Sequence, residues 1–176
     1  DYNAAARRYL GSPDPKVFGG FGTAVNWKGI DASIAFNYRL GAKVFDTGAR
    51  FTGWGMSEYT PLKRVATDSW TADNPNAKYP QYITGDPNNA TSYSSRFLMN
   101  GNFLRLSNIS VGYTLPKALT RKAMMEKVRV YLSADNLYTW TAGDFVGYNP
   151  ETYASGVIAW QYPASTTFVG GVQISF

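Results

Sequence analysis

The chain has 176 residues and a mass of 19.4 kDa, which is enough for one domain or two small ones. It contains neither Cys nor His, which excludes a disulfide scaffold, a cysteine nucleophile and every triad or zinc site that needs histidine. The net charge is +5, but the 17 Lys and Arg residues are scattered and form no basic run, so the sequence does not indicate nucleic-acid binding.

Alternating apolar and polar residues predict a β-hairpin near the start of the chain. Residues 21–27 alternate with period two, and a second alternating run extends from about Asp31 to Leu40. Lys28-Gly29 stands between them, and a short Gly-containing link between two alternating runs is typical of a tight hairpin turn.

A long polar stretch follows, over about residues 47–102. It is rich in Gly, Asn, Asp, Ser and Pro, which predicts a loop. A second predicted loop spans about residues 141–164. Loops of this length are unusual inside a compact domain and tend to be functional.

The third predicted strand contains a change of phase. Its second half, residues 109–115, alternates with Ile109 on the apolar face, whereas Leu104 and Leu106 upstream are out of phase with that set. A β-bulge near Ser107-Asn108 would restore the phase.

A short helix and two more strands complete the predicted elements. The helix is predicted from Lys117 to Glu126, directly after Pro116. The fourth strand begins at Val128, and the last strand covers residues 168–176. The short links are the Lys28-Gly29 turn and the helix at 117–126, and the long ones are the two predicted loops. In an up-and-down arrangement both short links lie on one side of the sheet and both long loops on the other, as in outer-membrane barrels.

The two faces of these strands differ in side-chain size. One face is aliphatic and aromatic, and the other is rich in Gly, Ala, Ser, Thr and Asn rather than in the charged residues of a solvent-facing sheet. Trp and Tyr near strand ends are typical of a membrane girdle; an alternative is that they are core aromatics of a soluble sandwich. The predicted girdle residues are Trp27, Tyr38, Tyr113, Tyr138 and Trp140.

Apolar residues recur at alternate positions up to the last residue of the sequence. They are Phe168, Val172, Ile174 and Phe176. A terminal strand with this pattern, ending in Phe, resembles the insertion signal of outer-membrane barrel proteins.

Several motifs resemble the SusC/RagA-like family of TonB-dependent outer-membrane transporters. The run Asn-Phe-Leu-Arg-Leu-Ser-Asn-Ile-Ser-Val-Gly-Tyr-Thr-Leu-Pro at 102–116 is similar to a motif near the C-terminus of that family. Gly-Tyr-Asn-Pro-Glu at 147–151 resembles another, with Asn149 in place of the usual Asp. Residues 128–140 and 70–80 agree with the family in order and spacing, so the resemblance covers nearly the whole chain.

The resemblance implies an all-β fold of antiparallel transmembrane β-barrel strands. These would be the last five or so strands of a roughly 22-stranded barrel, with long extracellular loops and one short periplasmic helix. Residues 1–176 would be the C-terminal part of that barrel, which an N-terminal plug and the earlier strands would complete.

The resemblance also implies a function and partners. The whole protein would import oligosaccharides, or peptides, across the outer membrane of a Gram-negative bacterium with energy from TonB. Its partners would be a SusD-like surface lipoprotein that acts as a lid, the TonB complex through the N-terminal region, the rest of the barrel and plug, and outer-membrane lipid. No cofactor and no nucleic acid are expected.

Two sets of candidate residues follow from the resemblance. Residues expected to face the lumen or plug are Asn26, Asn37, Arg39, Arg129, Asp135 and Gln173. Loop aromatics that could stack on substrate are Trp54, Trp70, Tyr79 and Trp160, although packing within a loop or against the lid is an alternative for them. The carboxylates have no spacing typical of a glycosidase or a calcium loop, so we expect neither a catalytic nor a metal site.

Two other functions fit parts of the sequence. A secreted, soluble β-sandwich that binds glycans would account for the aromatic content, but not for the small-residue face or the alternating link lengths. A passive porin or an autotransporter would share the barrel fold, and the presence of a plug in the whole protein would separate them from a TonB-dependent transporter.

Overall fold

The computed structural model describes residues 7–52, 60–87, 89–151 and 155–176. They form two compact units, and each is described by itself. The sheet unit comprises Pro15–Gly41, Gly101–Gly143 and Pro163–Phe176. The loop unit comprises the described residues of Asp1–Asp14, Ala42–Asn100 and Asp144–Tyr162.

The described parts of the two units contain eight strands and three short α-helices. The strands are β1 (Val17–Trp27), β2 (Ile30–Leu40), β3 (Lys43–Asp46), β4 (Leu98–Asn100), β5 (Phe103–Thr114), β6 (Lys127–Thr141), β7 (Val157–Ile158) and β8 (Thr167–Ser175). The helices are α1 (Thr47–Thr52), α2 (Lys63–Thr67) and α3 (Lys117–Thr120).

The sheet unit is one antiparallel sheet of five strands in the order β1-β2-β5-β6-β8. Strands β1 and β8 are its two edges, so the sheet does not close on itself. The prediction of five antiparallel strands is therefore confirmed. Four of them begin and end close to their predicted limits, whereas β1 begins at Val17, four residues before the predicted start.

The hairpin between β1 and β2 has the predicted two-residue turn. Trp27 pairs with Ile30, which leaves Lys28 and Gly29 as the turn residues. Both have a positive φ, 47° at Lys28 and 88° at Gly29. This conformation matches the right-handed twist of the strands, and glycine adopts it without steric cost.

The predicted bulge in β5 is present at Ser107. On β2, Ala35 pairs with Asn108 and Phe36 with Leu106, so Ser107 is the extra residue. The Ser107 hydroxyl donates a hydrogen bond to the Ala35 carbonyl at 2.9 Å. The bulge brings the leucines before it and Ile109 after it onto one face of the sheet.

The predicted helix at 117–126 is shorter than expected. α3 ends at Thr120, a 3₁₀ turn follows at Arg121–Ala123, and Met124 has a left-handed φ of 55°. The strands on either side limit its length, because the Leu115 amide donates to the Val128 carbonyl and the Glu126 amide donates to the Ser175 carbonyl.

The loop unit has more structure than the sequence predicted. Strands β4, β3 and β7 form a small sheet in that order, with β3 antiparallel to β4 and parallel to β7. Its described core consists of two apolar clusters, which contain Val44, Met99, Ile158 and Phe145, and Ala90, Phe97, Phe45, Ala49 and Tyr79. Strands of four, three and two residues are too short to show a period in the sequence.

The connections divide between the two ends of the five-stranded sheet. The β1–β2 turn and the α3 segment join strands at one end, which we call the turn end. At the other end, the loop end, the chain leaves β2 and β6 for the segments of the loop unit. Among the described helices, none has the length and apolar character needed to cross a membrane.

Candidate functional site

The apolar face of the sheet unit is exposed. Leu132 near the middle of β6 is 61% exposed, although its neighbours across the strands are Val111 and Gly170. Other large apolar side chains on this face are also exposed; they include Val17, Phe21, Val25, Ile30, Leu40, Val111, Val130, Phe168, Val172 and Ile174. A continuous apolar surface of this kind marks contact with a partner or a membrane.

The predicted girdle aromatics all lie on this apolar face, at its two ends. Trp27 and Tyr113 lie at the turn end. Tyr38, Tyr138 and Trp140 lie toward the loop end, where the rings of Tyr138 and Trp140 meet edge to face at 4.8 Å between centroids. This placement leaves the middle of the face aliphatic, apart from Phe21, Phe36 and Phe168.

The predicted terminal signal residues also lie on the apolar face. Phe168, Val172 and Ile174 alternate along β8, which is an edge strand, and pair with Ala134, Val130 and Val128 of β6. Phe176 follows the strand and is exposed.

The opposite face of the sheet is polar and has small side chains. All six residues predicted to face a lumen or plug lie on it; they are Asn26, Asn37, Arg39, Arg129, Asp135 and Gln173. The strand register places all six on the same face.

An ion pair near the turn end of the polar face joins two strands that are not neighbours. Arg129 on β6 donates through Nε to Asp31 Oδ1 at 2.8 Å and through its terminal nitrogen to Asp31 Oδ2. Asp31 lies on β2, so the pair crosses over the intervening strand β5. Both side chains are partly buried.

The absence of a side chain at Gly112 makes room for this ion pair. A Cβ built at Gly112 would lie 2.6 Å from Arg129 Nε and 2.7 Å from Asp31 Oδ1. The same relation recurs one strand further, where a Cβ at Gly171 would lie 2.6 Å from the Tyr131 ring. The Arg129 guanidinium in turn lies 5.0 Å from the centre of that ring, which is a cation–π distance.

Further polar contacts lie toward the loop end of the same face. Asn108 Nδ2 donates to Asp135 Oδ1 at 2.7 Å, and Arg105 Nε donates to Thr139 Oγ1 at 3.0 Å. The Asn37 side-chain oxygen is buried and accepts no hydrogen bond from the described residues. A buried acceptor without a donor is costly unless another molecule supplies one.

Sequence reasoning missed four members of this polar network, Asp31, Arg105, Asn108 and Thr139. Asp31 has the same strand parity as Asn37 and Arg39, which was a signal that could have found it. Arg105 and Asn108 lie on either side of the Ser107 bulge, so their shared face becomes clear only when the bulge is included.

The predicted loop aromatics do not form one cluster. The Trp70 amide donates to the Tyr79 carbonyl at 2.8 Å, so these two residues belong to one backbone pairing. Tyr79 packs against the Ala90–Phe97 cluster and lines a cavity of about 190 Å³ together with Lys78. Trp160 lines a separate groove, and Trp54 lies outside the described residues.

A carboxylate organises one turn of the loop unit. Asp86 accepts hydrogen bonds from the Thr91 hydroxyl at 2.6 Å, the Ala90 amide at 2.6 Å and the Thr91 amide at 2.9 Å. Burial raises the pKa of Asp86, but these hydrogen bonds and the charge of Arg96 outweigh it, so the pKa is lowered from its ordinary value.

The described residues contain no group of three or more acidic side chains placed to hold a metal ion. Three pairs of polar side chains on the sheet, Asp31–Arg129, Asn108–Asp135 and Arg105–Thr139, each join one strand to another. What the arrangement presents is one apolar surface and one polar surface on a single sheet.

Comparisons with known proteins agree with this geometry. No protein-family model matches the sequence. TonB-dependent receptor P3 of Formosa agariphila is 27% identical over 187 residues, an alignment that covers 100% of this chain and 18% of the relative. TonB-dependent receptor P26 of the same organism is 28% identical over 177 residues, covering 95% of this chain and 18% of the relative.

Solved structures of the RagAB peptide importer match the fold over the whole chain. In the closed-closed state the TM-score is 0.83 at 31% identity, and in the open-open state it is 0.79 at 30% identity. Over its whole length, this chain is therefore similar to a barrel segment of the SusC/RagA-like TonB-dependent transporters. It spans about a fifth of the length of the chains it matches, 19% in both states. A barrel segment explains an open sheet with an apolar and a polar face.

The space above Gly112 gives a first prediction. In the whole transporter, Gly112→Ala would place a Cβ against both partners of the Asp31–Arg129 pair, so we expect the variant to unfold at a lower urea concentration. The loss of heat-modifiable electrophoretic mobility measures the unfolding midpoint. Gly143→Ala is the matched control, because a Cβ there meets no atom within 4 Å. Equal midpoints for the two variants would contradict the packing argument.

The Asp86 turn gives a second prediction, on pH. A folded-state pKa below the unfolded one stabilises the turn above the ordinary carboxyl pKa of about 4, and this contribution disappears as the pH falls through the folded value. We therefore expect the hydrogen-exchange protection of Ala90 and Thr91 in the whole transporter, corrected for intrinsic rates, to fall below a pH of about 4.

Asp86→Asn separates the charge from the backbone geometry. Asp86 has a φ of 46°, a conformation that Asn tolerates, so the substitution removes the charge and one acceptor oxygen without new backbone strain. We expect reduced protection at Ala90 and Thr91 already at neutral pH, and unchanged protection in the exposed control Asp73→Asn. Protection that is independent of pH and of Asp86→Asn would contradict the assigned role.

Proposed function

We propose that this chain is the C-terminal part of the barrel wall, with extracellular loops, of an outer-membrane transporter that imports nutrients in a Gram-negative bacterium. The transporter takes up oligosaccharides or peptides, draws energy from TonB and works with a SusD-like surface lipoprotein. The similarity to TonB-dependent receptors and to the RagAB peptide importer supports this proposal.

One observation carries the proposal: the exposed apolar face of the five-stranded sheet. A soluble sandwich buries its apolar face under a second layer, whereas here Leu132, Val172 and their neighbours stay exposed. Lipid is the solvent that suits such a face. The neighbouring strands of the barrel would pair the backbone of the edge strands β1 and β8, since unpaired groups in lipid cost several kcal/mol each.

The polar face would meet the plug and the lumen. Small residues leave room for another layer, and the side chains of Asn26, Arg39 and Gln173 offer it donors and acceptors. The buried Asn37 oxygen fits this role, because a donor from the plug would satisfy it. The Asp31–Arg129 pair would hold the wall in register near the turn end.

The aromatic ends of the apolar face would lie at the two membrane interfaces. Trp27 and Tyr113 would mark the periplasmic interface, and Tyr38, Tyr138 and Trp140 the extracellular one. Phe168, Val172, Ile174 and Phe176 would serve as the terminal signal for barrel assembly. The loop unit, with Trp70, Tyr79 and Trp160, would then be extracellular, where substrate and the lipoprotein lid approach.

The experiment that tests the proposal is fractionation of the bacterium that encodes the chain. We expect peptides from residues 7–176 in detergent-extracted outer membranes, in a species several times heavier than 19.4 kDa that co-purifies with a surface lipoprotein. A 19.4 kDa species that stays soluble without detergent would contradict it and favour the secreted glycan-binding module.

The apolar face gives a prediction that depends on depth. In the whole transporter, Leu132→Arg places a charge near the middle of the apolar face and should lower the free energy of unfolding by about 2–4 kcal/mol. Ile30→Arg, on the same face but at the turn end, should cost about 1 kcal/mol or less. Urea titration in lipid vesicles measures both, and equal costs would contradict a lipid-facing sheet.

A further inference from the structure

A groove in the loop unit combines exposed aromatic rings with neutral polar groups. It has a volume of about 860 Å³ and runs beside the short edge strand β7. Its lining consists of Asn149, Glu151, Ser155, Val157, Ala159, Trp160, Gln161 and Tyr162. Trp160 is 62% exposed and Tyr162 is 92% exposed, so both rings are accessible from solvent.

The backbone at Trp160 has an unusual conformation. Its φ is 48°, in the left-handed region that bulky side chains rarely adopt. Such a conformation persists only where the surrounding structure imposes it, and strained positions of this kind cluster at ligand sites. Two residues before Trp160, β7 ends; it is anchored by the pairing of Val157 with Phe45 and of Ile158 with Asp46.

The charges of the lining limit the kind of ligand. Among the described residues that line the groove, Glu151 is the one ionic side chain, and none is Lys or Arg. The other polar groups are amides and a hydroxyl, with the Asn149 oxygen accepting the Glu151 amide at 3.1 Å and the Ser155 hydroxyl accepting the Val157 amide at 3.4 Å. A sulfated or phosphorylated ligand would find no positive partner among these described lining residues.

We propose that this groove is a subsite for a neutral oligosaccharide, which stacks on Trp160 and Tyr162 and forms hydrogen bonds with the amide and carboxylate groups of the lining. The proposal rests on the proposed function, in which the loop unit is extracellular. It goes further by assigning the groove to an uncharged, hydroxyl-rich chain.

A peptide fits the groove less well. A peptide added as a strand would depend on backbone hydrogen bonds along β7, but β7 has only two residues. Very short edge strands are a common means of preventing strand addition. The exposed surface of the groove comes instead from ring faces and side-chain polar groups, which suit a saccharide.

The test is calorimetric titration of the purified whole transporter, together with any lipoprotein that co-purifies, with neutral hexasaccharides of glucose, mannose and galactose. A sulfated hexasaccharide and an uncharged, end-capped hexapeptide serve as comparison ligands. We expect binding of a neutral hexasaccharide and an affinity about tenfold lower in both Trp160→Ala and Tyr162→Ala, the size of effect that one lost aromatic contact produces.

Two further variants control for folding and for general exposure of aromatic residues. Trp160→Phe keeps an aromatic ring and should retain most of the affinity. Tyr148 is 82% exposed in the same segment but does not line the groove, so Tyr148→Ala should bind like the unaltered protein. Tyr162 is so exposed that its truncation should leave folding unchanged, as heat-modifiable mobility will show.

Several outcomes would overturn the proposal. The first is unchanged saccharide affinity in both alanine variants, and the second is no binding of any neutral hexasaccharide. The third is a fall in affinity for the hexapeptide alone, which would assign the groove to peptides. If the alanine variants no longer co-purified with the lipoprotein but kept their saccharide affinity, the groove would be a contact site for the lipoprotein lid. Each of these can occur in a transporter that still fractionates with the outer membrane, so failure of the subsite is distinguishable from failure of the proposed function.

Discussion

The exposed apolar face of the five-stranded sheet is the constraint on which the rest of the structure depends. A sheet can leave one face apolar and exposed only if something other than water covers it. In lipid, the backbone of every strand must also be paired, which is possible for a sheet only within a closed barrel. An open edge at β1 and at β8, together with this face, therefore fits a segment of a larger wall.

The polar face shows how such a wall is held in register when its outer side offers no directional contacts. Lipid-facing aliphatic side chains do not distinguish one register from another as strongly as hydrogen bonds do. On the polar face, the Asp31–Arg129 pair joins β2 to β6 across β5, and Gly112 leaves the space through which it passes. Small residues on this face thus have two roles, since they leave room for another layer and allow long side chains to lie flat.

Much of the sheet could be predicted because its signals are local. The alternation of β1 and β2, the Lys28-Gly29 turn and the phase change at Ser107 are each visible within a few residues. The loop unit could not be predicted in the same way. β3 pairs in parallel with β7, more than a hundred residues further along the chain, and neither strand is long enough to show a period.

The same distinction between local and long-range signals holds for the candidate site. Strand parity was sufficient to place the six polar-face residues together, and also the girdle aromatics on the opposite face. The partner of Arg129 and the space at Gly112 depend on register across three strands, which a single sequence does not reveal. The groove at Trp160 depends on a backbone conformation that composition does not encode.

The most direct test of the central claim is spin-label accessibility along β6 of the whole transporter in lipid vesicles. Labels placed one at a time at residues 128–134 report access to oxygen, which partitions into lipid, and to a water-soluble nickel complex. The account predicts that oxygen access alternates with period two, high at Val130 and Leu132 and low at Tyr131 and Ser133. Uniform access along the strand, or higher nickel access at Leu132, would contradict a lipid-facing sheet.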